Sequence, residues 1–239
     1  TKMSVFNYEV KLVNPQFILT SDTLRYSTDT KIASIVGPSD IDSDENHIYS
    51  ELGFYYTQQG QAELLERSVL TNNGKRMTGD SLFYDRNRGI GEAFRNVELV
   101  DTINKNMLTG DYCFYNQLTG YAFATDRAMA TDFSQGDSLF IHADTLQLYT
   151  YHVNTDSVYR EARAYHKVRF YRTDLQGVCD SLVFSSKDSC LTLYQDPILW
   201  NGNQQLLGEE IMVYMNDSTI DWAHIQNQAL SERNHLNTV

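Results

Sequence analysis

The chain is poor in proline (3) and in cysteine (3), has no long apolar run, and carries fewer basic than acidic side chains. Each shortage excludes something. Cys113, Cys179 and Cys190 show neither CxxC spacing nor an even count, which argues against a zinc site or a full disulfide framework. They read as small buried apolar residues, with a Cys179–Cys190 bridge across one hairpin as the alternative in an oxidising compartment. No stretch approaches the roughly eighteen apolar residues of a membrane-spanning helix. Thr1 to Val10 lack the basic start and apolar core of a signal peptide, so the chain is expected to be soluble and already trimmed of an export signal. The net charge of -12 comes from acids spread along the whole length, so the surface repels polyanions and nucleic acid is not an expected partner.

Catalytic signatures are missing too. The histidines at 47, 142, 152, 166, 224 and 235 form no HExxH pair, no serine sits in GxSxG, and Gly89-Ile90-Gly91 lacks the third glycine of a dinucleotide loop. The expectation is a protein without enzymatic activity, cofactor or metal. A calcium-like spacing runs through Asp40, Asp42, Asp44, Asn46 and Glu51, but Glu45 stands where the EF-hand turn needs glycine, which leaves a solvated acidic loop as the plainer reading.

What the chain does have is aromatic residues, 16 Tyr and 11 Phe, and apolar residues in short alternating groups, the pattern of strands. One five-residue pattern recurs: an acid or serine, then apolar or aromatic residues two and four places on. It reads Asp22-Thr23-Leu24-Arg25-Tyr26, Asp80-Ser81-Leu82-Phe83-Tyr84, Asp111-Tyr112-Cys113-Phe114-Tyr115, Asp144-Thr145-Leu146-Gln147-Leu148 and Asp180-Ser181-Leu182-Val183-Phe184. Ser50-Glu51-Leu52-Gly53-Phe54 and Glu209-Glu210-Ile211-Met212-Val213 are degenerate copies. The first residues of the copies are separated by 28, 30, 31, 33, 36 and 29 positions, the mark of one supersecondary unit repeated with variable loops. After each anchor comes a polar or glycine-containing turn, such as Gln58-Gln59-Gly60, Asn87-Arg88-Gly89, Leu118-Thr119-Gly120 or Ser186-Lys187-Asp188, and then a second apolar stretch. Asn72-Asn73-Gly74 and Gln135-Gly136-Asp137 close units in the same way.

The reading is therefore an all-β chain of about seven two-strand repeats, with each anchor at a strand start. Stacked at ~4.8 Å per strand, some fourteen strands give an elongated roll of about 65 Å. Alternation assigns an inner face to Leu24, Tyr26, Leu52, Phe54, Leu82, Tyr84, Tyr115, Leu146, Leu148, Leu182, Phe184, Ile211 and Val213. In the second strands Val97, Leu99, Val168, Phe170, Ile198 and Trp200 join them, and Ala93, Ala122, Ala124, Ala128 and Ala130 leave room inside.

Gly79-Asp80-Ser81-Leu82-Phe83-Tyr84-Asp85 followed by Gly89-Ile90-Gly91-Glu92-Ala93-Phe94-Arg95-Asn96-Val97-Glu98-Leu99 resembles a unit of the OstA-like family of periplasmic lipopolysaccharide-transport proteins. Weaker half-patterns extend from Asp22 to Leu230. The resemblance implies a twisted open β-jellyroll spanning 1–239 as a single repeat domain, whole or a fragment of a longer protein. It implies a non-catalytic lipid carrier of the periplasm, linked to the outer membrane, that holds lipopolysaccharide acyl chains in a lumen lined by the residues assigned above, Trp200 and the alanines aside. It also implies head-to-tail association with like domains. The alternative is a structural or adhesive β-repeat protein with a closed core and no lipid ligand.

Three further readings follow. A basic run, Arg160, Arg163, His166, Lys167, Arg169 and Arg172, offers Arg163, Lys167 and Arg169 as phosphate contacts. The docking strands for a like domain are expected near Phe17 to Tyr26 and Ile211 to Ile220. The Asp-Ser/Thr-Leu triplets at Asp22, Asp80, Asp137, Asp144 and Asp180 match an O-glycosylation signal of one group of Gram-negative bacteria, although the repeat already explains them.

Overall fold

The computed structural model describes residues 2–43, 45–66, 68–134, 136–216 and 219–233. The chain divides into two compact units, Thr1–Leu118 and Thr119–Val239. Among the described residues every regular element of three or more residues is a β-strand, and no helix is long and apolar enough to cross a membrane.

The first unit holds β1 (Met3–Asn14), β2 (Phe17–Ser27), β3 (Ile32–Asp42), β4 (Asn46–Tyr56), β5 (Gln61–Glu66), β6 (Ser68–Asn72), β7 (Lys75–Gly79), β8 (Ser81–Asp85), β9 (Ile90–Asp101) and β10 (Asn106–Asn116). The second holds β11 (Tyr121–Asp132), β12 (Leu139–Tyr151), β13 (Tyr159–Tyr171), β14 (Leu175–Ser185), β15 (Cys190–Tyr194), β16 (Ile198–Asn201), β17 (Gln204–Leu207), β18 (Glu210–Asn216), β19 (Thr219–Gln226) and β20 (Leu230–Arg233). Within each unit the strands, counting two successive short ones as one, pair antiparallel as a meander. Short strands are the two halves of one bent strand: β4 pairs β6 through its first half and β5 through its second, and β9 does the same with β7 and β8. All-β jellyroll-like hairpin stacks are thus the architecture of both units.

The bend has a simple register. In β2 the buried residues are Phe17, Leu19 and Ser21, then Leu24 and Ser27. Two residues separate Ser21 from Leu24, while three separate their partners Ser39 and Ile35 on β3. The extra residue on alternate strands is a β-bulge, which bends the pair and turns one face of alternation into the other. The bulged strands meet the bend with left-handed pairs, among them Arg95-Asn96 at φ 56° and 50° and His166-Lys167 at 62° and 55°. The strands between them carry a small residue followed by an acid: Ser21-Asp22, Ser50-Glu51, Gly79-Asp80, Gly110-Asp111, Ala143-Asp144, Cys179-Asp180 and Gly208-Glu209. The recurring acid therefore sits at mid-strand, not at a strand start as the five-residue pattern suggests, because alternation read only downstream of the acid misses the half-strand before it.

The acid has a job at the bend. Asn96 Nδ2 donates to Asp80 at 3.2 Å, Lys167 Nζ reaches Asp144 at 3.4 Å, and His166 Nδ1 lies 3.5 Å from Asp180. Asn227 and Gln228 both donate to Glu209, at 2.9 and 3.0 Å. Each carboxylate thus takes donors from a left-handed pair on the neighbouring strand, offsetting part of that pair's ~1–2 kcal/mol per residue. Inside the bend, hydroxyls serve the freed backbone: Ser39 Oγ donates to Ser21 Oγ at 2.7 Å, and Ser21 Oγ donates to the Thr23 carbonyl at 2.9 Å. Tight turns close the hairpins at the expected glycines, with φ of 68° at Gly60, 77° at Gly74, 62° at Gly89 and 66° at Gly120. Of the remaining turn Gln135-Gly136-Asp137, Gln135 lies outside the described residues.

Candidate functional site

The candidate site is the inner face of the bent strands. Inward rows run across successive strands in register. In the first unit one row passes Tyr26, Ala33, Tyr55, Ala62, Tyr84, Gly91 and Tyr115. In the second the corresponding row passes Ala122, Leu148, Ala162, Phe184, Leu191 and Val213. Large and small side chains mostly alternate, so the alanines and glycines accept the rings and branched chains beside them. The room expected from Ala93, Ala122, Ala124 and Ala128 is taken up in this way, and all four are buried.

Of the inner-face residues read from the sequence, Leu24, Leu82, Tyr84, Val97, Leu99, Leu146, Val168, Phe170, Leu182, Ile211 and Val213 are buried. Tyr26, Tyr115, Leu148 and Phe184 share the same rows and are half-buried. Four assignments are corrected. Leu52 and Phe54 lie on the outer face, 38% and 39% exposed, because Glu51 rather than Ser50 is the corner acid of that copy. Gly53 and Tyr55, paired with Ile35 and Ala33, face inward instead. Ile198 pairs with Val178 while its neighbour Leu199 pairs with Gly177 and is fully buried, so Leu199 is the inner residue and Ile198 and Trp200 face outward. In both places a one-residue slip exchanges the faces. The residues missed altogether, such as Leu19, Ile48, Met77 and Leu108, stand three places before a corner acid, and an apolar residue at that spacing was the available signal.

The rows end at a seam. In the first unit Arg86, from the turn after β8, donates to Gln16 in the β1–β2 turn through Nη2 to Oε1 at 2.5 Å and Nη1 to the carbonyl at 3.2 Å. Phe17 and Tyr55 meet edge to face at 4.7 Å between centroids. Further along, a crevice lined by Leu70, Asn72, Lys75, Met77, Tyr84, Gly89, Gly91, Leu99, Tyr115 and Gln117 leaves about 10 Å³ for a water-sized body. Lys75 at its edge is 2.8 Å from Asp101 and 5.9 Å from the Tyr115 ring centre. Burial pushes the Tyr84 and Tyr115 phenols up to about 12, so both stay protonated donors.

Three residues of the basic run on and just after β13 are paired with carboxylates. Arg163 pairs with Glu161 and its guanidinium stands 4.8 Å from the Tyr149 ring centre, Lys167 takes Asp144, and Arg172 binds Asp174 at 2.5 and 3.0 Å. Lys167 is a corner residue, so Arg163 and Arg169 flank it on different halves of the strand. The calcium-like set does not converge: Asn46 Oδ1 accepts from Asn72 inside at 2.9 Å, whereas Asp40 and Asp42 flank His47 on the outside, and Asp44 lies outside the described residues, as does His235. Cys179 is buried and Cys190 half-buried opposite Ser185, and both are free thiols. Of the glycosylation-like triplets, Thr23 lies 3.4 Å from Asn7 and Ser181 2.9 Å from its own neighbour Asp180, both beside corner acids.

The fold and this inner face define a class, an antiparallel hairpin stack with a continuous apolar interior in each unit. Residues 41–131 match the OstA-like protein family. Among solved structures it is similar to LptH of Pseudomonas aeruginosa, the LptA-homologous periplasmic component of a lipopolysaccharide transport device. The identity is 15%, the TM-score 0.38, and the match covers 46% of this chain and 74% of that one. No curated protein matches the chain.

Proposed function

We propose that the chain is a periplasmic, non-catalytic module of lipopolysaccharide transport that holds acyl chains against the inner face of its bent strands on the way to the outer membrane. The observation carrying this reading is the set of inward rows within each unit, largely apolar between the hydroxyls at the bends and the polar residues at the strand ends, which in the first unit ends at a seam where turns from opposite strand ends meet. The OstA-like span at 41–131 supports it. Burying methylenes gains about 0.8 kcal/mol each, so a ~10-carbon segment contributes up to roughly 8 kcal/mol without a fixed headgroup site.

End-to-end assembly with like domains belongs to the same proposal, with edges that overlap the expected segments only at Ile220. Phe17 to Tyr26 lies in β2 and most of Ile211 to Ile220 in β18, each paired on both sides, while Ile220 itself belongs to the start of β19. Among the described residues β1 pairs only with β2, and its Met3, Val5, Phe6, Tyr8 and Val13 are exposed. In the second unit β19, among the described residues, pairs only with β18 and exposes Trp222. Such edges are ready for strand addition. Light scattering over a concentration series should show association that lysine substitutions at Val5 and Phe6 abolish.

One observation favours the closed-core alternative: Leu19, Leu24, Leu64, Leu193 and Leu199 are each at most 1% exposed, so the interior already fills itself. Displacement of a fluorescent fatty-acyl probe by lipopolysaccharide decides between the two. Saturable displacement supports carriage, and a probe that never binds leaves the closed-core reading.

A further inference from the structure

We propose that the Tyr84 hydroxyl is a lipid-selecting donor, placed to receive the carbonyl oxygen of an acyl ester or amide at the seam of the first unit. The inference rests on the lipid-carrying reading and adds to it a polar contact inside an otherwise apolar interior.

Tyr84 is 3% exposed, yet its Oη has no hydrogen-bond partner among the described residues. Buried phenols almost always find one. Tyr84 lines the seam crevice, whose walls include Leu70, Met77 and Leu99 from the opposing half of the roll. Beside Tyr84 on β9 stands Gly91, where a Cβ would come within 3.2 Å of Leu70 Cδ2 and 3.4 Å of Met77 Sδ. The bare backbone there keeps the crevice open.

The chemistry selects the ligand class. Lys75, the cation lining the crevice, is neutralised by Asp101 at 2.8 Å, and the influence of Arg86 on the Tyr84 hydroxyl is opposed by Asp85 and Glu45, so a phosphate or free carboxylate would enter without a free counter-charge, at a large cost in a low-dielectric site. A neutral oxygen acceptor attached to hydrocarbon satisfies both the phenol and the apolar walls. Esters and amides of fatty acids have that form. The flexible ends of Leu70 and Met77 are the groups that must move to admit the chain. A single water is the competing occupant, since the space now suits one.

The test uses the full chain with methyl decanoate, labelled with carbon-13 at the carbonyl, and a straight alkane of matched length, each displacing the fluorescent acyl probe. Tyr84→Phe removes only the unpartnered hydroxyl and leaves the packing intact. The ester should bind the variant about five- to tenfold more weakly, the size of one hydrogen bond, with alkane affinity unchanged. The carbonyl infrared band of the bound ester should sit at lower wavenumber in the native protein and return in the variant. Equal loss for ester and alkane, or an ester affinity and band untouched by the substitution, overturns the proposal and leaves the hydroxyl to a water. If neither ligand displaces the probe from the native chain, the lipid-carrying reading itself falls, and this inference with it.

Discussion

Asn96 Nδ2 donates to Asp80 Oδ1 at 3.2 Å across the corner where β7 passes into β8, and the Asp80 amide donates to the Arg95 carbonyl at 3.0 Å. The pair joins the two devices that recur at the bends, an acid after a small residue and a left-handed pair on the neighbour. Asp80 is half-exposed, so its ion pair with Arg95 at 4.0 Å contributes little, and the hydrogen bonds are what matter. Asp80→Ala should cost about 1 kcal/mol, read as a lower urea midpoint. Asp156→Ala, an exposed acid in a loop, should cost less than half of that. Equal effects would reduce the corner acid to surface charge.

Gly177 faces Phe170 from the adjacent strand. A Cβ added at Gly177 would overlap Phe170 Cζ and stand 3.1 Å from the Ile198 carbonyl oxygen. Gly177→Ala should therefore destabilise the second unit by about 1–3 kcal/mol through overpacking. Adding Phe170→Leu should recover part of the loss, because the ring is the obstacle. Strictly additive losses in the double variant would place the cost in the backbone instead.

Asp101 closes the inner layer at one strand end. Burial by itself would raise its carboxyl, but the Asn104 amide at 2.9 Å and the Lys75 ammonium at 2.8 Å hold it below its usual range. A carboxyl lowered in the folded state contributes stability above its unfolded pKa of about 3.9, and that contribution drains away as pH falls through the folded value. Asp101→Asn should cost about 1–3 kcal/mol at pH 7, and its gap to the native chain should narrow as pH falls below about 4. Urea midpoints measured at both pH values check this, and a gap independent of pH would contradict it.

Half of each bent strand was legible in the sequence because alternation downstream of the acid is clean, as in Asp80, Leu82 and Tyr84. The other half was not, because the bulge shifts the phase: Leu19 and Ser21 are inward on one side of Asp22, Leu24 on the other. A single period-two template therefore starts the strand at the point where it bends. β1 escaped the repeat for a related reason, since its corner is Tyr8-Glu9, a left-handed pair without the acid-x-apolar signature. The crevice at Tyr84 was out of reach, because Asn72 and Gln117 come from opposite strand ends and meet only through the curl of the roll.

The copy at Ser50 is the place where this phase shift can be measured directly. If Glu51 is the corner acid, Tyr55 belongs to the interior and Phe54 to the surface, although the sequence around them reads equally well either way. Tyr55 is 2% exposed, packs edge to face on Phe17, and has its phenol pushed up chiefly by burial. Tyr55→Ala should cost about 3–5 kcal/mol, the price of a deleted buried ring. Phe54→Ala, at a ring 39% exposed, should cost less than about 1 kcal/mol. Near-ultraviolet circular dichroism and urea midpoints on the two single variants separate the assignments: a large loss at Phe54 with a small one at Tyr55 would restore Ser50 as the anchor and return Leu52 and Phe54 to the inner face.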